Sequence, residues 1–294
     1  MCGIFFSISS SNSILPSEEC SCSLQKRGPD SVQVQVRTVQ NNKNNDTAES
    51  DTLHLTFLST VLSLRGDHVY PQPLVDKESQ SVLCWNGEAW KIAGEKVQGE
   101  GGCINDTELI FGLFLQAVKN PSSSSSSHHS PVTATGDCYK NSAIERFSEA
   151  VSSISGPFSF VFHDAVNSIL FFGRDCLGRR SLLQGLDHSG NLKICSIDDG
   201  DDDFQEVDTD GLHLIDLDHA FRQNGNASAS ASASASVDNN NTSSFYNVIT
   251  VPWTSNSSAS EISTPAHLVR LSFSNSFKIS TKIANLTVCL LADK

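Results

Sequence analysis

The sequence predicts an α+β domain with largely antiparallel sheets. Strand-like segments occur in groups before and after two helix-like segments, instead of alternating with helices one by one as in a parallel α/β fold. Residues 158–162 and 169–172 are apolar and flank a turn at 164–167, which is typical of a hairpin. With 294 residues, the chain is long enough to bury a large core.

Four strand-like segments precede the helices. Residues 3–8 are apolar, and residues 32–36 alternate valine with glutamine, which predicts a half-buried strand. Residues 53–64 are rich in β-branched and apolar side chains, and residues 82–85 form a further candidate. We expect these segments to supply the first part of the sheets.

Two helices are predicted in the middle of the chain. Asn105 can cap the first helix, because Glu108 follows three residues later in a capping-box arrangement. Apolar residues then recur at helical spacing as far as Val118. The second helix is predicted over about residues 141–153.

Low-complexity tracts are predicted to be disordered loops. Residues 121–131 contain six consecutive serines, and residues 224–244 are dominated by Ser, Ala and Asn. Residues 41–51 form a shorter polar loop, and the acidic run at 198–203 predicts a solvated turn. Residues 245–294 hold apolar stretches for which we predict no particular organisation.

Composition argues against several classes of protein. The net charge of −13 disfavours nucleic-acid binding. The sequence has no run of 18 apolar residues, so we expect no membrane span. No basic segment precedes the first apolar stretch, so we expect a cytoplasmic protein. The nine cysteines include no CxxC pair, which predicts free thiols and no metal site.

Cys2 is the first candidate for chemistry. Methionine aminopeptidases remove Met1 when the second residue is small, and this leaves a cysteine with a free α-amine. An α-amine has a pKa of about 7.7–8.0 and can act as the general base for the adjacent thiol. The alternative is that Cys2 is simply one of nine thiols.

Four short motifs carry further polar groups: RGPD at 27–30, NGE at 86–88, NDTE at 105–108 and GRDCLGRR at 173–180. Each has a structural explanation when taken alone. Asn86-Gly87 is a strong signal for a two-residue hairpin, and Asp106 could cap a helix. Individually, the motifs leave the function open.

Together and in this order, with MCGI at the start, the motifs resemble the glutaminase domain of asparagine synthetases, a class II glutamine amidotransferase. The chain is similar above all to the asparagine synthetase domain-containing family, which shares LRG at 64–66 and GRRSLL at 178–183. The resemblance covers roughly residues 2–190. It implies the four-layer αββα sandwich of N-terminal-nucleophile hydrolases.

The resemblance implies glutamine hydrolysis for asparagine biosynthesis. Cys2 would attack the side-chain amide, and the Asn86 amide and the Gly87 N–H would bind the oxyanion. Gly87 would be small so that the backbone can approach the substrate. Glu88 and Asp106 would bind the α-ammonium group. Ammonia would leave, and water would convert the thioester to glutamate.

Other motif residues are expected to support the structure. Arg27 and Arg174 are predicted to buttress loops around the site. Asp175 and Arg179 are expected to form a buried or half-buried ion pair. No metal or cofactor is implied for this domain.

Val61 departs from the pattern of asparagine synthetases. It occupies the position of an arginine that binds the glutamine α-carboxylate in those enzymes. Arg65 is the nearest candidate replacement. In an extended strand it would share a face with Val61 at a distance of about 13 Å.

The chain also lacks the Ser-Gly-Gly-x-Asp-Ser loop that binds ATP in the synthetase domain. ATP and Mg²⁺ are therefore expected only for that missing domain. The expected partners are glutamine and a synthetase domain or subunit that accepts ammonia. The alternatives are a glutamine-binding or regulatory module with weak or no turnover, and a truncated fragment.

The implied division assigns residues 2–190 to a glutamine amidotransferase domain with an insertion at 121–138. Residues 191–223 are expected to be trailing strands of this domain. Residues 224–244 are predicted to be a linker. Residues 245–294 are either an extension or the truncated start of a synthetase region.

Overall fold

The computed structural model describes residues 1–40, 52–97, 105–119, 136–200, 203–220 and 246–253. The main helices are α1 (Glu18–Arg27), α2 (Asp106–Val118) and α3 (Gly136–Ser152). The strands are β1 (Gly3–Ser9), β2 (Ser31–Gln40), β3 (Thr52–Val61), β4 (Leu74–Val75), β5 (Val82–Gly87), β6 (Lys91–Ile92), β7 (Glu95–Lys96), β8 (Ile154–Ser155), β9 (Phe158–Asp164), β10 (Ile169–Arg174), β11 (Leu183–Leu186), β12 (Leu192–Cys195), β13 (Gln205–Glu206), β14 (Gly211–Asp216) and β15 (Ile249–Pro252).

The strands form two six-stranded sheets and one small sheet. Sheet A has the order β13-β11-β12-β1-β3-β2, and sheet B has the order β15-β14-β10-β9-β5-β4. All neighbouring strands in both sheets are antiparallel. This confirms the predicted class of an α+β domain with antiparallel sheets.

Sheets A and B pack face to face around the main apolar core. Ile4 and Phe57 of sheet A meet Cys84 and Phe172 of sheet B in this layer. Successive side chains of a strand point to opposite faces, so each sheet presents a second apolar face outwards. These outer faces need cover from helices.

Helices cover both outer faces. Phe114 of α2 packs against Trp85, and Phe147 of α3 packs against Phe171, both in sheet B. On the other side, Leu24 of α1 packs against Phe5 of sheet A. The order of layers is therefore helix, sheet, sheet, helix, which confirms the αββα sandwich that the resemblance implied.

Most predicted elements are confirmed. The segments at 3–8, 32–36 and 82–85 lie in β1, β2 and β5, and the hairpin joins β9 to β10. The segment predicted at 53–64 is too long, because β3 ends at Val61. Helix α3 begins at Gly136, inside the predicted insertion at 121–138.

The remaining predicted loops lie outside the described residues. These are the rest of that insertion, the loop at 41–51 and the linker at 224–244. Most of residues 245–294 also lie outside them, but β15 pairs with β14 at the edge of sheet B. Tyr246 packs in the core between the sheets, so this short segment is part of the same sandwich.

Helix α1 was not predicted. It buries only Cys20 and Leu24, so its apolar periodicity is weak. Its end signals are stronger. The Ser17 side chain accepts a hydrogen bond from the Cys20 N–H at 3.1 Å, and two glutamates stand in the first turn. Capping and charge could have located this helix from the sequence.

Three of the four valines of β2 are exposed, so the prediction of a half-buried strand was wrong for their face, whereas Val39 packs against the core between the sheets. Val32, Val34 and Val36 are 43%, 46% and 39% exposed. Strand β2 is the edge of sheet A, and these three valines pair with β3 positions on the outer face. Helix α1 covers only the part of this face around Phe5 and Leu58.

The acidic run at 198–203 is not a simple solvated turn. Asp199 is buried, and its carboxylate contacts Lys193 Nζ at 2.9 Å. It also accepts a hydrogen bond from the Ser17 N–H at 2.8 Å. Asp199 therefore anchors the start of α1, while Asp201 and Asp202 lie outside the described residues.

The six cysteines whose side chains are described are free thiols, as predicted: Cys2, Cys20, Cys22, Cys84, Cys176 and Cys195. In the described ranges, His, Cys, Asp and Glu form no group of three or more that could hold a metal ion. No helix in the part of the chain that the structure describes has the length and apolar character needed to cross a membrane.

His163 makes the core sensitive to acid. Burial lowers its pKa to about 4, Arg37 adds to this effect, and neither ring nitrogen has a hydrogen-bond partner among the described residues. An unfolded histidine titrates near 6.5, so the unfolded state takes up the proton first and native stability falls as the pH drops from 6.5 to 4. We expect His163→Leu to recover about 2 kcal/mol of unfolding free energy at pH 5.

Urea unfolding of both proteins at pH 5 and pH 7.5 measures this difference. At pH 7.5 the wild-type histidine is neutral in both states, so the gain specific to acid should be absent. A stability difference that is the same at both pH values would contradict the assignment.

Candidate active site

Two strands bring Cys2 and Asn86 to the same end of the layer between the sheets. Ile4 on β1 faces this layer, so Cys2, two residues earlier, points to the same side. Cys84 on β5 also faces it, and Asn86 follows two residues later. Cys2 and Asn86 therefore line one pocket.

All the predicted catalytic and substrate-binding residues line this pocket: Cys2, Arg65, Asn86, Gly87, Glu88 and Asp106. Its other lining residues are Met1, Val61, Leu62, Ser63, Leu64, Tyr70, Gln72, Trp85, Asn105, Thr107 and Arg180. Arg27, Arg174 and Asp175, which were predicted to be structural, are not part of the lining.

The Cys2 thiol lies against the backbone of Leu62. Its Sγ is 3.5 Å from Leu62 N and 3.8 Å from Leu62 O. Burial raises the pKa of the Cys2 thiol and Asp106 adds to the rise, whereas the Leu62 N–H and the terminal ammonium oppose it. The thiol is therefore neutral near pH 7 and needs a base to become a nucleophile.

The RGPD motif holds the loop next to Cys2. A Cβ at Gly28 would lie 2.4 Å from the backbone of β3, so only glycine permits this close approach. The Asp30 carboxylate accepts a hydrogen bond from the Ser63 N–H at 2.7 Å. The motif thereby orients the loop that places Leu62 against the thiol.

Arg27 contacts the N-terminal residues from outside the pocket lining. Its Nε donates to Cys2 O at 3.4 Å, and its Nη2 donates to Ser181 Oγ at 3.1 Å. The Met1 amine donates to Arg27 O at 3.3 Å. Burial lowers the pKa of Arg27. These contacts orient the N-terminus.

The Asn86 side chain brings an unused donor to the pocket. The residue is only 2% exposed, and its Nδ2 has no hydrogen-bond partner among the described residues. A buried N–H group without a partner is costly and rare in native proteins. The geometry therefore offers Nδ2 to a ligand in the pocket.

Asn86-Gly87 is not a hairpin, because β5 runs through Gly87 and pairs with β9. The Trp85 N–H donates to Gln72 Oε1 at 2.7 Å, and the Gly87 N–H, two residues later, points to the same edge. A Cβ at Gly87 would lie 2.7 Å from Phe158 Cβ. The need for glycine here thus arises from packing on β9, which the sequence did not indicate.

Asp106 is the first residue of α2, and it is only 4% exposed. Its Oδ2 accepts a hydrogen bond from the Ala89 N–H at 2.6 Å. Burial raises the pKa of Asp106, and the Ala89 N–H and Arg65 oppose the rise. The alternative that Asp106 caps the helix was wrong, because Asn105 is the cap and accepts from the Thr107 N–H at 2.9 Å.

Glu88 lies between two arginines. Its carboxylate is 3.9 Å from Arg65 Nη2 and 3.7 Å from Arg180 Nη2. The prediction that Arg65 lies in a strand was wrong, because β3 ends at Val61. Arg65 lies in the loop that follows, where its Nη1 donates to Ala89 O at 3.3 Å. This loop brings Arg65 to the pocket.

Asp175 organises the start of β9. It accepts hydrogen bonds from the Phe158 N–H at 3.0 Å and from Arg179 Nε at 2.9 Å. Asp175 is 3% exposed, which confirms the predicted ion pair with Arg179. Arg174 contacts Glu206 at 3.1 Å. These residues shape the frame around the pocket.

Sequence reasoning did not identify Gln72 and Arg180 as pocket residues. Arg180 occurs in the motif at 173–180, but nothing local indicates that either side chain reaches the site. Gln72 reaches it because its side chain bonds to β5, and Arg180 because the loop after β10 packs beside Glu88.

No family model matches the chain. It is 32% identical over 225 residues to "Asparagine synthetase domain-containing protein 1" of Bos taurus, covering 74% of this chain and 28% of that protein. The same protein of Gallus gallus is 31% identical over 226 residues, with coverage of 74% and 29%. This chain is a relative of the asparagine synthetase domain-containing proteins. It spans less than a third of the length of these relatives.

Two solved structures are weakly similar to this chain. One is described as the allosteric regulatory enzyme of purine biosynthesis, with 15% identity, a TM-score of 0.40 and coverage of 73% of this chain and 46% of that chain. The other is glutamine phosphoribosylpyrophosphate amidotransferase from B. subtilis, with 15% identity, a TM-score of 0.36 and the same coverage. The four-layer assignment therefore rests on the packing described above.

Proposed function

We propose that this domain hydrolyses glutamine to glutamate and ammonia through a thioester on Cys2. The observation that carries the proposal is the Asn86 Nδ2 group, which is buried in the same pocket as the Cys2 thiol and has no partner in the described part of the chain. A nucleophile beside a preorganised donor is the basic requirement for attack on an amide.

Removal of Met1 is the activating step in this proposal. It would give Cys2 a free α-amine, whose pKa of about 7.7–8.0 suits a general base near neutral pH. The amine would take the thiol proton as sulfur attacks the amide carbon, and would then deliver it to the leaving nitrogen. The C–N bond breaks, ammonia departs, and water hydrolyses the thioester.

The oxyanion that forms on the amide oxygen would be held by Asn86 Nδ2 and the Gly87 N–H. Nδ2 has no partner among the residues that are described, which supports this role, because such a donor needs no rearrangement to bind the developing charge. The Gly87 N–H points to the same edge of β5 as the Trp85 N–H, which donates to Gln72, and this supports Gly87 as the second oxyanion donor.

Asp106 is the best candidate to bind the α-ammonium group of glutamine. Only one of its oxygens is used by the Ala89 N–H, and an arriving ammonium would offset the burial that raises its pKa. Glu88 also lines the pocket, but its carboxylate lies between two arginines. Arg65 is the cation that the sequence suggested for the α-carboxylate.

We also propose that the ammonia passes to a synthetase domain or subunit for asparagine biosynthesis in the cytoplasm. The supporting observation is the relationship to proteins named for an asparagine synthetase domain, of which this chain matches less than a third. The hydrolytic chemistry itself uses only a thiol, an amine and N–H donors of this chain.

Two measurements on one purified sample test the glutaminase proposal. Intact mass shows whether Met1 is removed, and a coupled assay follows glutamate release from glutamine. We expect loss of one methionine together with glutamate release. A chain that lacks Met1 and releases no glutamate would contradict the proposal.

A glutamine-binding module without turnover is the second candidate. It is favoured by Val61, an apolar and buried residue at the position where asparagine synthetases are expected to carry an arginine. Calorimetry separates the candidates, because a binding module would bind glutamine in the wild-type protein without consuming it.

Asp106→Asn should separate binding from stability. Loss of the charge should raise the KM for glutamine by roughly 10- to 100-fold, the range for a lost charge-assisted hydrogen bond. The melting temperature at pH 7 should be unchanged or higher, because burial disfavours the ionised carboxylate. In the wild type, the pKa of Asp106 is higher in the folded state than in the unfolded state. The protonated carboxyl therefore contributes its full stability below about pH 4, and this stability is lost as the pH rises through the folded pKa.

Steady-state kinetics and melting curves between pH 4 and pH 7 measure both effects. If Asp106→Asn melts lower than wild type at every pH and binds glutamine normally, Asp106 serves the structure and not the substrate.

A further inference from the structure

Arg180 presents unused donors to the pocket. Its side chain is 18% exposed, and its Nε is buried with no hydrogen-bond partner among the described residues. Its Nη1 lies 3.2 Å from the Met1 sulfur, which is a weak acceptor, and its Nη2 is 3.7 Å from Glu88. A guanidinium has five N–H donors, so this arginine is poorly satisfied where it lies.

The other cations near the pocket are more engaged or more exposed. Arg65 donates to Ala89 O and is 31% exposed, so solvent competes for its remaining donors. Arg27 donates to Cys2 O and to Ser181 Oγ, and it does not line the pocket. Arg180 is therefore the lining cation with the most unused and least solvated donors.

The contact with Met1 links Arg180 to activation of the site. Loss of Met1 removes the sulfur beside Nη1 at the same step that creates the free amine of Cys2. Glu88 remains between Arg65 and Arg180 and keeps the guanidinium of Arg180 at the pocket wall. Among the residues that the structure describes, Glu88 is then the acceptor that remains near the guanidinium of Arg180 in the pocket lining.

We propose that Arg180 binds the α-carboxylate of the amino-acid substrate, in place of an arginine at Val61. A planar guanidinium matches a carboxylate in a two-bond geometry that valine cannot supply. Together with Asp106, it gives the pocket one cation and one anion for a zwitterionic substrate. This inference rests on the proposed glutaminase function.

The test compares glutamine with its α-carboxamide analogue, glutaminamide, which keeps the side-chain amide but has no carboxylate. In Arg180→Gln the KM for glutamine should rise by roughly 10- to 100-fold while the KM for glutaminamide stays within about twofold. Arg180→Lys should retain part of the preference for glutamine over glutaminamide, because lysine keeps the positive charge but cannot form the two parallel hydrogen bonds of a guanidinium.

Arg179→Gln is the matched control. It removes an adjacent arginine that is bound to Asp175 and to Gly156 O. It should lower the melting temperature without changing the ratio of the two KM values. A purely structural role for Arg180 would shift both KM values together, and that result overturns the inference. A ratio that changes in Arg65→Gln and not in Arg180→Gln also overturns it.

Failure of the proposed hydrolysis can be told apart from failure of this inference. If wild type turns over neither compound, calorimetry with the same two compounds replaces the kinetics. Preferential binding of glutamine that is lost in Arg180→Gln supports the carboxylate site even without turnover. Equal binding of both compounds to wild type, or no binding of either, overturns it.

Discussion

Replacing Cys2 with alanine is expected to abolish glutamate release, with a loss of at least about 10³-fold in kcat/KM. The thiol is the only nucleophilic sulfur that lines the pocket among the described residues. Its pKa is raised by burial, so its reactivity depends on the base that Met1 removal creates. The Leu62 N–H, 3.5 Å from Sγ, is placed to stabilise the thiolate as it forms.

Cys2→Ser refines this result. Serine is also small, so Met1 is still removed and the α-amine is still present. The hydroxyl is a weaker nucleophile than the thiol, so residual activity should exceed that of Cys2→Ala and remain far below wild type. Cys176→Ala is the matched control, since Cys176 is exposed and does not line the pocket. Wild-type rates in Cys2→Ala would rule out Cys2 as the nucleophile.

Asn86→Ala is expected to lower kcat by about 10²- to 10³-fold, the effect of removing one oxyanion donor in comparable sites. The expected change in folding stability is small. Nδ2 has no partner among the described residues, so its removal breaks no hydrogen bond and relieves a buried unpaired donor. Kinetics and a melting curve on the same sample measure both quantities.

Asn167→Ala is the control with the opposite pattern. Asn167 is also a buried asparagine, but its Nδ2 donates to Val118 O at 3.2 Å and to Asp164 Oδ2 at 2.6 Å. Asn167→Ala should lower the free energy of unfolding by about 1–3 kcal/mol and leave kcat unchanged. If Asn86→Ala instead melts lower and retains kcat, Asn86 supports the fold and the oxyanion role is wrong.

The two results bear on different parts of the proposal. Loss of activity in Cys2→Ala identifies the nucleophile, whatever the oxyanion donors are. The split between kcat and stability in Asn86→Ala identifies a group that acts on the reacting atoms. Together they distinguish a hydrolytic site from a pocket that only binds glutamine, in which neither substitution has a rate to change.

Local signals were sufficient for much of the fold. Helix α2 was predictable because its cap at Asn105 and its apolar spacing are contained in the helix itself. The hairpin of β9 and β10 was predictable because two apolar segments flank one short turn. The candidate residues of the site were identified because their motifs follow Cys2 in the same order as in the glutaminase domain of asparagine synthetases.

The exposure of Val32, Val34 and Val36 in β2 shows where local signals were insufficient. Alternation predicts that one face of a strand is buried, but it does not say what lies on that face. Strand β2 is at the edge of sheet A, beyond the part that α1 covers, so these valines face outwards. Exposure was decided by the order of the strands in the sheet.

The sequence by itself determined the identities of the reactive groups: a thiol at position 2, an amide at Asn86 and a carboxylate at Asp106. Only the tertiary structure decided which of their atoms are free to act. Among the described residues Asn86 Nδ2, near the end of β5, is buried in the pocket without a partner, and Arg180 reaches the pocket because its loop packs against Glu88. Hydrogen-bond satisfaction depends on every neighbour brought in by the fold, and those neighbours are distant in the sequence.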